Sequence, residues 1–158
     1  MATLLVKTKA VLEDCEKHLH DNKAFGSEIE SYLTQYLLIV LCADIQQEIY
    51  KITDSRALAA GDVAISTYIS AASKRILRSV SKEEIGKYVG MFGDKPKSRM
   101  NSLISDSDVT VYGNAINNRH EVAHKSGTQV TFGELKDAVK AADNILFAVA
   151  ESLGISEP

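Results

Sequence analysis

The run Asn118-Arg119-His120-Glu121-Val122-Ala123-His124-Lys125 gathers side chains suited to proton transfer and anion binding. It holds two of the chain's 4 histidines, whose imidazoles titrate near neutral pH and can act as acid or base. Arg119 offers a permanent planar charge that can hold anionic oxygens through paired hydrogen bonds. His120 and His124 are four residues apart, so they would project from one helix face. Stabilisation by a helix dipole could explain one histidine, but this clustering favours a functional site.

One interpretation of this run is a zinc hydrolase. The residues from His120 to His124 match H-E-x-x-H, in which two imidazoles bind the metal and the glutamate activates water. Gly127 fits the longer form of the motif, but Val130 stands where that form requires a third histidine. Glu134 or Glu151 could replace it, but Glu134 is expected to cap a helix and Glu151 lies a full helix away. The sequence therefore disfavours zinc.

A second interpretation starts from the Arg-x4-His spacing of Arg119 and His124, with a polar residue directly after the arginine. This spacing resembles the signature of the HEPN superfamily, and most closely its RiboL-PSP-like branch. The likeness covers roughly residues 109–153, including the Lys125-Ser126-Gly127 turn and the amphipathic last helix. The first hundred residues agree only in being helical. The commonest residue after the arginine in this branch is Asn, and here it is His120.

The HEPN resemblance implies a helical bundle that forms a homodimer, with two motifs meeting in a cleft at the two-fold axis. It also implies metal-independent endoribonuclease activity that needs no cofactor, with RNA as the substrate. His124 is then the first candidate for general base or acid, Arg119 for the phosphate clamp, and His120 for a second proton carrier or positioning group. Glu121 is a weaker candidate for orienting a histidine.

Geometry adds a condition to this interpretation. Arg119 and His124 lie about 140° apart on an ideal helix, at roughly 100° per residue. They would converge only if the helix loosens at His124 or if a second subunit contributes. A dimer would bring two arginines and up to four imidazoles to one cleft.

The role of such a protein stays open between two alternatives. An active ribonuclease could be the toxin of a toxin–antitoxin pair, with an antitoxin protein as its partner, or part of an anti-phage defence system. A catalytically silent HEPN-like scaffold would instead bind RNA, a nucleotide or a partner protein. The intact Arg119 and His124 pair favours the ribonuclease.

A locally basic band lies between Lys74 and Arg99, where eight basic residues accompany three acidic ones although the whole chain has a net charge of −3. Such a band could face phosphates, although a solvated helix surface is an equally good explanation. Within it, Lys95, Lys97 and Arg99 are weak candidates for RNA binding. The remaining histidines, His18 and His20, are expected to end the first helix without a functional role.

The elements that position the motif are helices. Apolar residues recur at helical spacing throughout, which predicts an all-α, HEPN-like, up-and-down bundle of five to six helices in one domain over residues 1–158. The second helix is apolar nearly all round, so we expect it to be central or to lie in a subunit interface. Ser27 with Glu30, Ser81 with Glu84, and Thr131 with Glu134 predict capping boxes. The expected helices are Thr3–His20, Ser27–Thr53, one from Asp62, one from Ser81 to about Gly90–Gly93, one from Asp106 or Ser107 to about Lys125, and one from Thr131 to Gly154, with residues 94–106 mostly loop.

The composition indicates an ordinary globular protein, with 45% hydrophobic and 25% charged residues. Cys15 and Cys42 have no metal-ligand spacing and are expected to be buried thiols, which favours a reducing compartment. The most apolar segment, residues 33–43, falls short of the roughly 20 residues that a membrane span needs. We therefore expect a cytoplasmic protein that does not associate with membranes.

Overall fold

The computed structural model describes residues 4–118 and 130–155. Within these ranges the chain forms seven α-helices and no strand, which confirms the all-α class. The helices are α1 Val6–Asp21, α2 Glu28–Leu58, α3 Val63–Ile76, α4 Lys82–Gly90, α5 Asp94–Leu103, α6 Asp106–Asn117 and α7 Phe132–Ser152. This is one more than the five to six helices that the periodicity predicts.

The additional helix, α5, occupies the segment for which the sequence predicts mostly loop. Pro96 lies in its first turn, where a missing backbone N–H removes no intrahelical hydrogen bond. Gly93 precedes the helix with a φ of 118°, which L side chains rarely adopt. Met100 is fully buried, and α5 packs against α4 and α7. Burial in the bundle therefore stabilises a helix whose own sequence is polar and only weakly helix-forming.

Of the three predicted capping boxes, one is complete and one is half formed. Ser81 accepts a hydrogen bond from the backbone N–H of Glu84 at the start of α4, but the Glu84 carboxylate binds Lys87 and the Ser81 N–H donates to Ser79. At the start of α7, Thr131 accepts from the N–H of Glu134, and the Glu134 carboxylate accepts from the N–H of Thr131 at 2.8 Å. This reciprocal pair is a complete capping box.

The capping box predicted at Ser27 is wrong. The Ser27 hydroxyl donates to the backbone carbonyl of Ala24, and the Glu30 carboxylate accepts from the N–H of Gly26. Gly26 has a φ of 78°, so the chain turns sharply before α2 and both side chains bind the turn instead of the helix end. The two partners of the expected box stabilise the approach to α2.

The cap of α6 also differs from the prediction by one residue. Ser105 accepts from the N–H of Asp108, so neither Asp106 nor Ser107 is the cap. All three residues are good caps, and the sequence does not rank them. The end of this helix lies where the structure stops describing the chain, after Asn118.

α2 is the central helix, as its all-round apolar character predicts. Its 31 residues span about 46 Å at about 1.5 Å per residue, and α1, α3 and α7 pack along it. It extends five residues beyond the expected Thr53. Leu37, Leu41, Ile45 and Ile49 are essentially inaccessible to solvent in the hydrophobic core. The core thus forms around α2, with α1, α4, α5, α6 and α7 supplying the facing side chains.

Side-chain contacts fix the helix directions. α1 runs antiparallel to α7, because Lys9 binds Asp143 at 2.6 Å and Lys136 binds Glu16 at 2.5 Å. It is also antiparallel to α2, since only residues 22–27 join the two helices while the N–H and the hydroxyl of Thr8, near the start of α1, donate to the Asp44 carboxylate midway along α2. α2 and α7 therefore run parallel to each other.

The bundle consequently has two distinct ends. One, the motif end, contains the C-termini of α1 and α6 and the N-termini of α2 and α7, where Phe25 contacts Phe132 and where the described chain stops at Asn118. The other, the far end, contains α3, α4 and α5. Arg99 of α5 binds Glu151 in the last turn of α7 at this end.

The helices also bear on the expectation about membranes. No helix in the described ranges combines the length and apolarity required to span a bilayer.

Cys15 and Cys42 are both buried and are not joined by a disulfide, and burial raises the pKa of the Cys15 thiol.

Candidate functional site

The motif residues themselves lie outside the described part of the chain. Arg119, His120, Glu121 and His124 all fall within residues 119–129. The structure describes the residues on both sides of this segment, Asn118 at the end of α6 and Val130 just before α7. The helix ends on either side of this segment therefore define the geometry of the site.

α6 leads directly into the motif. Ser105 caps the helix, and the Asp108 carboxylate, whose pKa is lowered mainly by a hydrogen bond from the Ser105 hydroxyl, accepts from Asn144 of α7 at 3.0 Å. The phenol of Tyr112 is fully buried and donates to the backbone carbonyl of Val80. Burial strongly raises the pKa of this phenol. α6 is thus anchored on two sides before it reaches Asn118.

α7 begins directly after the motif segment with the capping box of Thr131 and Glu134. The hydrogen bonds from the backbone and the hydroxyl of Thr131 lower the pKa of the Glu134 carboxyl. Phe132, the first residue of the helix, is buried and contacts Phe25 edge to face. The carboxylate is consequently committed to the helix end, which removes one of the two glutamates considered as a third zinc ligand.

Glu151, the other glutamate considered, is also engaged elsewhere. It binds Arg99 at the far end of the molecule. Seventeen residues of α7 separate it from Glu134, or about 26 Å along the helix axis. Val130, at the third-ligand position, is a buried apolar residue. The described chain therefore places neither glutamate where it could complete a metal site with the H-E-x-x-H residues without breaking an existing contact.

An open hollow of about 340 Å³ lies between α6 and α7 at the motif end. Its walls are one face of each helix, and the motif segment connects the two. The residues that line it are Val111, Asn114, Ala115 and Asn118 on one side and Val130, Glu134 and Asp137 on the other. The hollow is half polar, and the amide of Asn118 donates to the backbone carbonyl of Asn114. A small polar group could enter between the two helices.

The charge of this hollow is acidic among the described lining residues. Glu134 and Asp137 contribute carboxylates, and Asp137 binds Lys140 at 3.2 Å. No described lining residue is basic. A phosphate bound in the hollow would therefore find no positive charge among the described lining residues and would depend on Arg119 and the histidines of the motif.

The three weak candidates for RNA binding lie far from the motif. Lys95, Lys97 and Arg99 belong to α5 at the far end, so the structure does not bring them together with the residues beside Asn118. Arg99 is additionally bound to Glu151 at 2.5 Å. These residues could contribute to RNA binding only if the RNA extended across most of the molecule, from the motif end to the far end.

The two other histidines end α1, as the sequence predicts. His18 and His20 are exposed in its last turn, and the backbone carbonyl of His18 accepts from Asn22. This is the ordinary setting of a histidine at a helix C-terminus, where the dipole favours positive charge.

Sequence reasoning did not identify which face of α2 is available for an interface. Four large apolar side chains recur along its first three turns at a helical spacing, and each is 46% to 63% exposed. We name this surface the α2 stripe, formed by Ile29, Tyr32, Tyr36 and Ile39. It lies at the motif end, because Phe25 at the start of α2 contacts Phe132 at the start of α7. The apolar residues all round α2 indicated that some face of this helix could form an interface. Only the packing of α1, α3 and α7 shows which faces are covered and which face is exposed.

Comparison with protein-family models, with curated proteins and with solved structures finds no significant match to this chain.

Proposed function

We propose that this chain is a metal-independent endoribonuclease that acts as a homodimer and cuts RNA by attack of the 2′-hydroxyl. One observation carries the proposal. Asn118 and Val130, which flank the Arg119-x4-His124 segment in the sequence, line an open polar hollow between α6 and the capped N-terminus of α7, at the same end as the exposed α2 stripe. A reactive segment, a place for substrate and a surface for a second subunit thus occur together.

The proposed reaction uses the motif residues in distinct roles. A histidine, first His124, removes the proton of the 2′-hydroxyl, whose oxygen then forms a bond to phosphorus. The bond from phosphorus to the 5′-oxygen breaks, and a second imidazole protonates that oxygen. Arg119 stabilises the charge on the phosphorane oxygens. The products are a 2′,3′-cyclic phosphate and a 5′-hydroxyl, with no metal required.

A second subunit supplies what one helix cannot. The angle of about 140° between Arg119 and His124 on an ideal helix separates the clamp from the base. The α2 stripe offers an isologous surface at the correct end, through which two motifs could face each other. His120 of either chain would then act as the second proton carrier, and Glu121 would orient a histidine.

The acidic lining of the hollow favours one competing candidate. Glu134 and Asp137 would repel an RNA phosphate that entered deeply, which suits a catalytically silent scaffold that binds a nucleobase, a basic segment or a partner protein. In the ribonuclease the hollow would instead receive a base, with Asn114 and Asn118 as its polar contacts. In a cell, the ribonuclease would be a cytoplasmic toxin restrained by an antitoxin protein, or part of an anti-phage system.

The decisive experiment is incubation of the purified protein with total RNA in excess EDTA, with Arg119→Ala as the control. Cleavage by the wild type and not by the variant supports the ribonuclease. RNA that is bound tightly but left uncut identifies the silent scaffold. Elemental analysis near one zinc per chain, lost in His120→Ala, would instead contradict the metal-independent ribonuclease and favour the zinc hydrolase.

A further inference from the structure

α3 packs on the bundle with its polar face inward. Ser66 and Ser73 are its buried residues, and Ser70 donates a hydrogen bond to Asp54 of α2. None of the 14 residues of α3 belongs to the hydrophobic core cluster. A helix at the surface of a monomer normally buries its apolar stripe and exposes its polar face. α3 is the reverse.

The apolar face of α3 is consequently turned to solvent. Ile65, Tyr68 and Ile76 are 52%, 74% and 43% exposed, and Ala72 lies between them on the same face. Their spacing of three and four residues makes a continuous seam along the helix. Along one side the seam shares an open hollow with Met91 and Phe92, directly after α4. An exposed apolar seam of this kind is typical of a protein interface.

We infer that this seam binds the α3 seam of a second copy of the chain, antiparallel and about a two-fold axis. Beside the projecting Tyr68, one turn further along the helix, Ala71 and Ala72 leave a hollow of about 370 Å³ that Arg75 and Ile76 also line. A two-fold axis near residue 70 places the Tyr68 ring of each copy over the two alanines of the other. The surface is thus self-complementary, which is what an isologous interface requires.

The charges on α3 select the antiparallel arrangement. Lys74, Arg75 and Arg78 gather at its C-terminal end, and Asp62 caps its N-terminus. A parallel pair would bring six positive charges together, whereas an antiparallel pair separates the two basic groups by the length of the helix. The register that sets Tyr68 opposite Ala72 also brings Asp62 of each copy to the C-terminal end of the other α3, where Lys74 and Arg75 lie. Shape and charge therefore indicate the same register.

This interface is separate from the one proposed for catalysis. Asp54, which holds Ser70, lies 15 residues beyond Ile39, the last residue of the α2 stripe, or about 22 Å along the axis of α2. Pairing through α3 thus needs no motif residue. With pairing through the α2 stripe as well, each chain would have two isologous surfaces, and the assembly would be larger than a dimer.

Sedimentation velocity of the full chain at micromolar concentration tests the inference. We expect Tyr68→Glu to reduce the wild-type assembly to a monomer, or to a dimer if the α2 stripe also pairs. Val63→Glu is the matched control, because Val63 is 80% exposed but lies about 140° around the helix from Tyr68. Circular dichroism of both variants checks that they remain folded. A mass unchanged by Tyr68→Glu, or a monomeric wild type, would overturn the inference, even if another protein were later found on this face.

Cysteine cross-linking tests the register. Chains carrying Tyr68→Cys, mixed with chains carrying Ala72→Cys, should form a mixed disulfide faster than either variant does alone. The native Cys15 and Cys42 are buried, which limits their interference. Val63→Cys should cross-link no faster than a random surface cysteine. Equal rates for all combinations would contradict the antiparallel pair.

Discussion

Phe25 contacts Phe132 edge to face, with ring centroids 6.4 Å apart and planes at 72°. The contact joins the turn before α2 to the first residue of α7, two points separated by more than one hundred residues. It fixes the N-terminus of α2 beside the N-terminus of α7, at the end of the bundle where the described chain stops at Asn118 and resumes at Val130. The α2 stripe becomes part of the motif end through this contact.

The first prediction concerns the α2 stripe. Tyr36→Glu places a charge in the middle of the exposed apolar surface, so a dimer formed there should dissociate and lose its composite site. We expect RNA cleavage to fall with the loss of association, and to recover partly at high protein concentration. Gln47→Glu is the control, since it adds the same charge to an exposed position on the same face of α2, beyond the stripe. Equal activity of both variants per chain would show that catalysis does not need this surface.

The second prediction concerns the chemistry. His124→Ala and Arg119→Ala should each lower the cleavage rate by roughly 10²-fold or more, the scale for losing an acid–base group or a charge-stabilising donor. His120→Ala should have a smaller effect if that residue only positions. An RNA with a single 2′-deoxy nucleotide at the scissile position should resist cleavage, and the products should carry 2′,3′-cyclic phosphates. Cleavage of the deoxy substrate would contradict 2′-hydroxyl attack.

The third prediction concerns α5. Neutralising Lys95, Lys97 and Arg99 together should reduce the salt dependence of RNA affinity, because each phosphate contact on a single strand contributes about 0.7 to the slope of log K against log salt. The cleavage rate at saturating RNA should not change, since these residues lie at the far end. Lys87→Ala is the control, because Lys87 already binds Glu83 and Glu84. An unchanged slope in the triple variant would exclude the triad from the RNA path.

The fourth prediction concerns the cap that ends the motif segment. Thr131→Ala should lower the free energy of unfolding by about 1 kcal/mol, the usual cost of losing a threonine cap. Thr110→Ala on the exposed face of α6 should cost less, since that hydroxyl binds only a carbonyl of its own helix. Urea titration measures both.

The same cap should make stability depend on pH. The folded-state pKa of Glu134 is below its usual value of 4.5, so its contribution is present above that value and is lost as the pH falls through the lowered pKa. Glu134→Gln should therefore flatten the acid side of the stability curve, whereas Thr131→Ala should flatten it less, because the Thr131 N–H, whose hydrogen bond lowers the pKa most, remains. A curve of unchanged shape would show that the capping box does not set it.

Sequence alone determined the helical class and most helix starts. The periodicity of apolar residues is a local signal, and so is the placement of Asp62, Ser81 and Thr131 before helices that they do cap. It also singled out the run from Arg119 to His124, which stays a prediction because those residues lie outside the described chain. The local pattern did not predict the correct cap at Ser105, where several suitable residues compete. It also failed at Ser27, where the side chains of the expected capping box bind the preceding turn.

Only the tertiary structure decided which surfaces the helices cover. The periodicity of α3 suggests an ordinary amphipathic helix, but whether Tyr68 or Ser70 faces inward depends on Asp54, a residue of another helix that offers the serine a hydrogen bond. α5 forms because its Met100 is buried by the bundle, although its own residues favour a loop. The distance between the basic residues of α5 and the motif, like the exposure of the α2 stripe, depends on helix directions that long-range contacts such as Lys136 with Glu16 establish. Hydrophobic periodicity predicts which face of a helix is apolar. Only the packing of the neighbouring helices determines whether that face is buried and which element covers it.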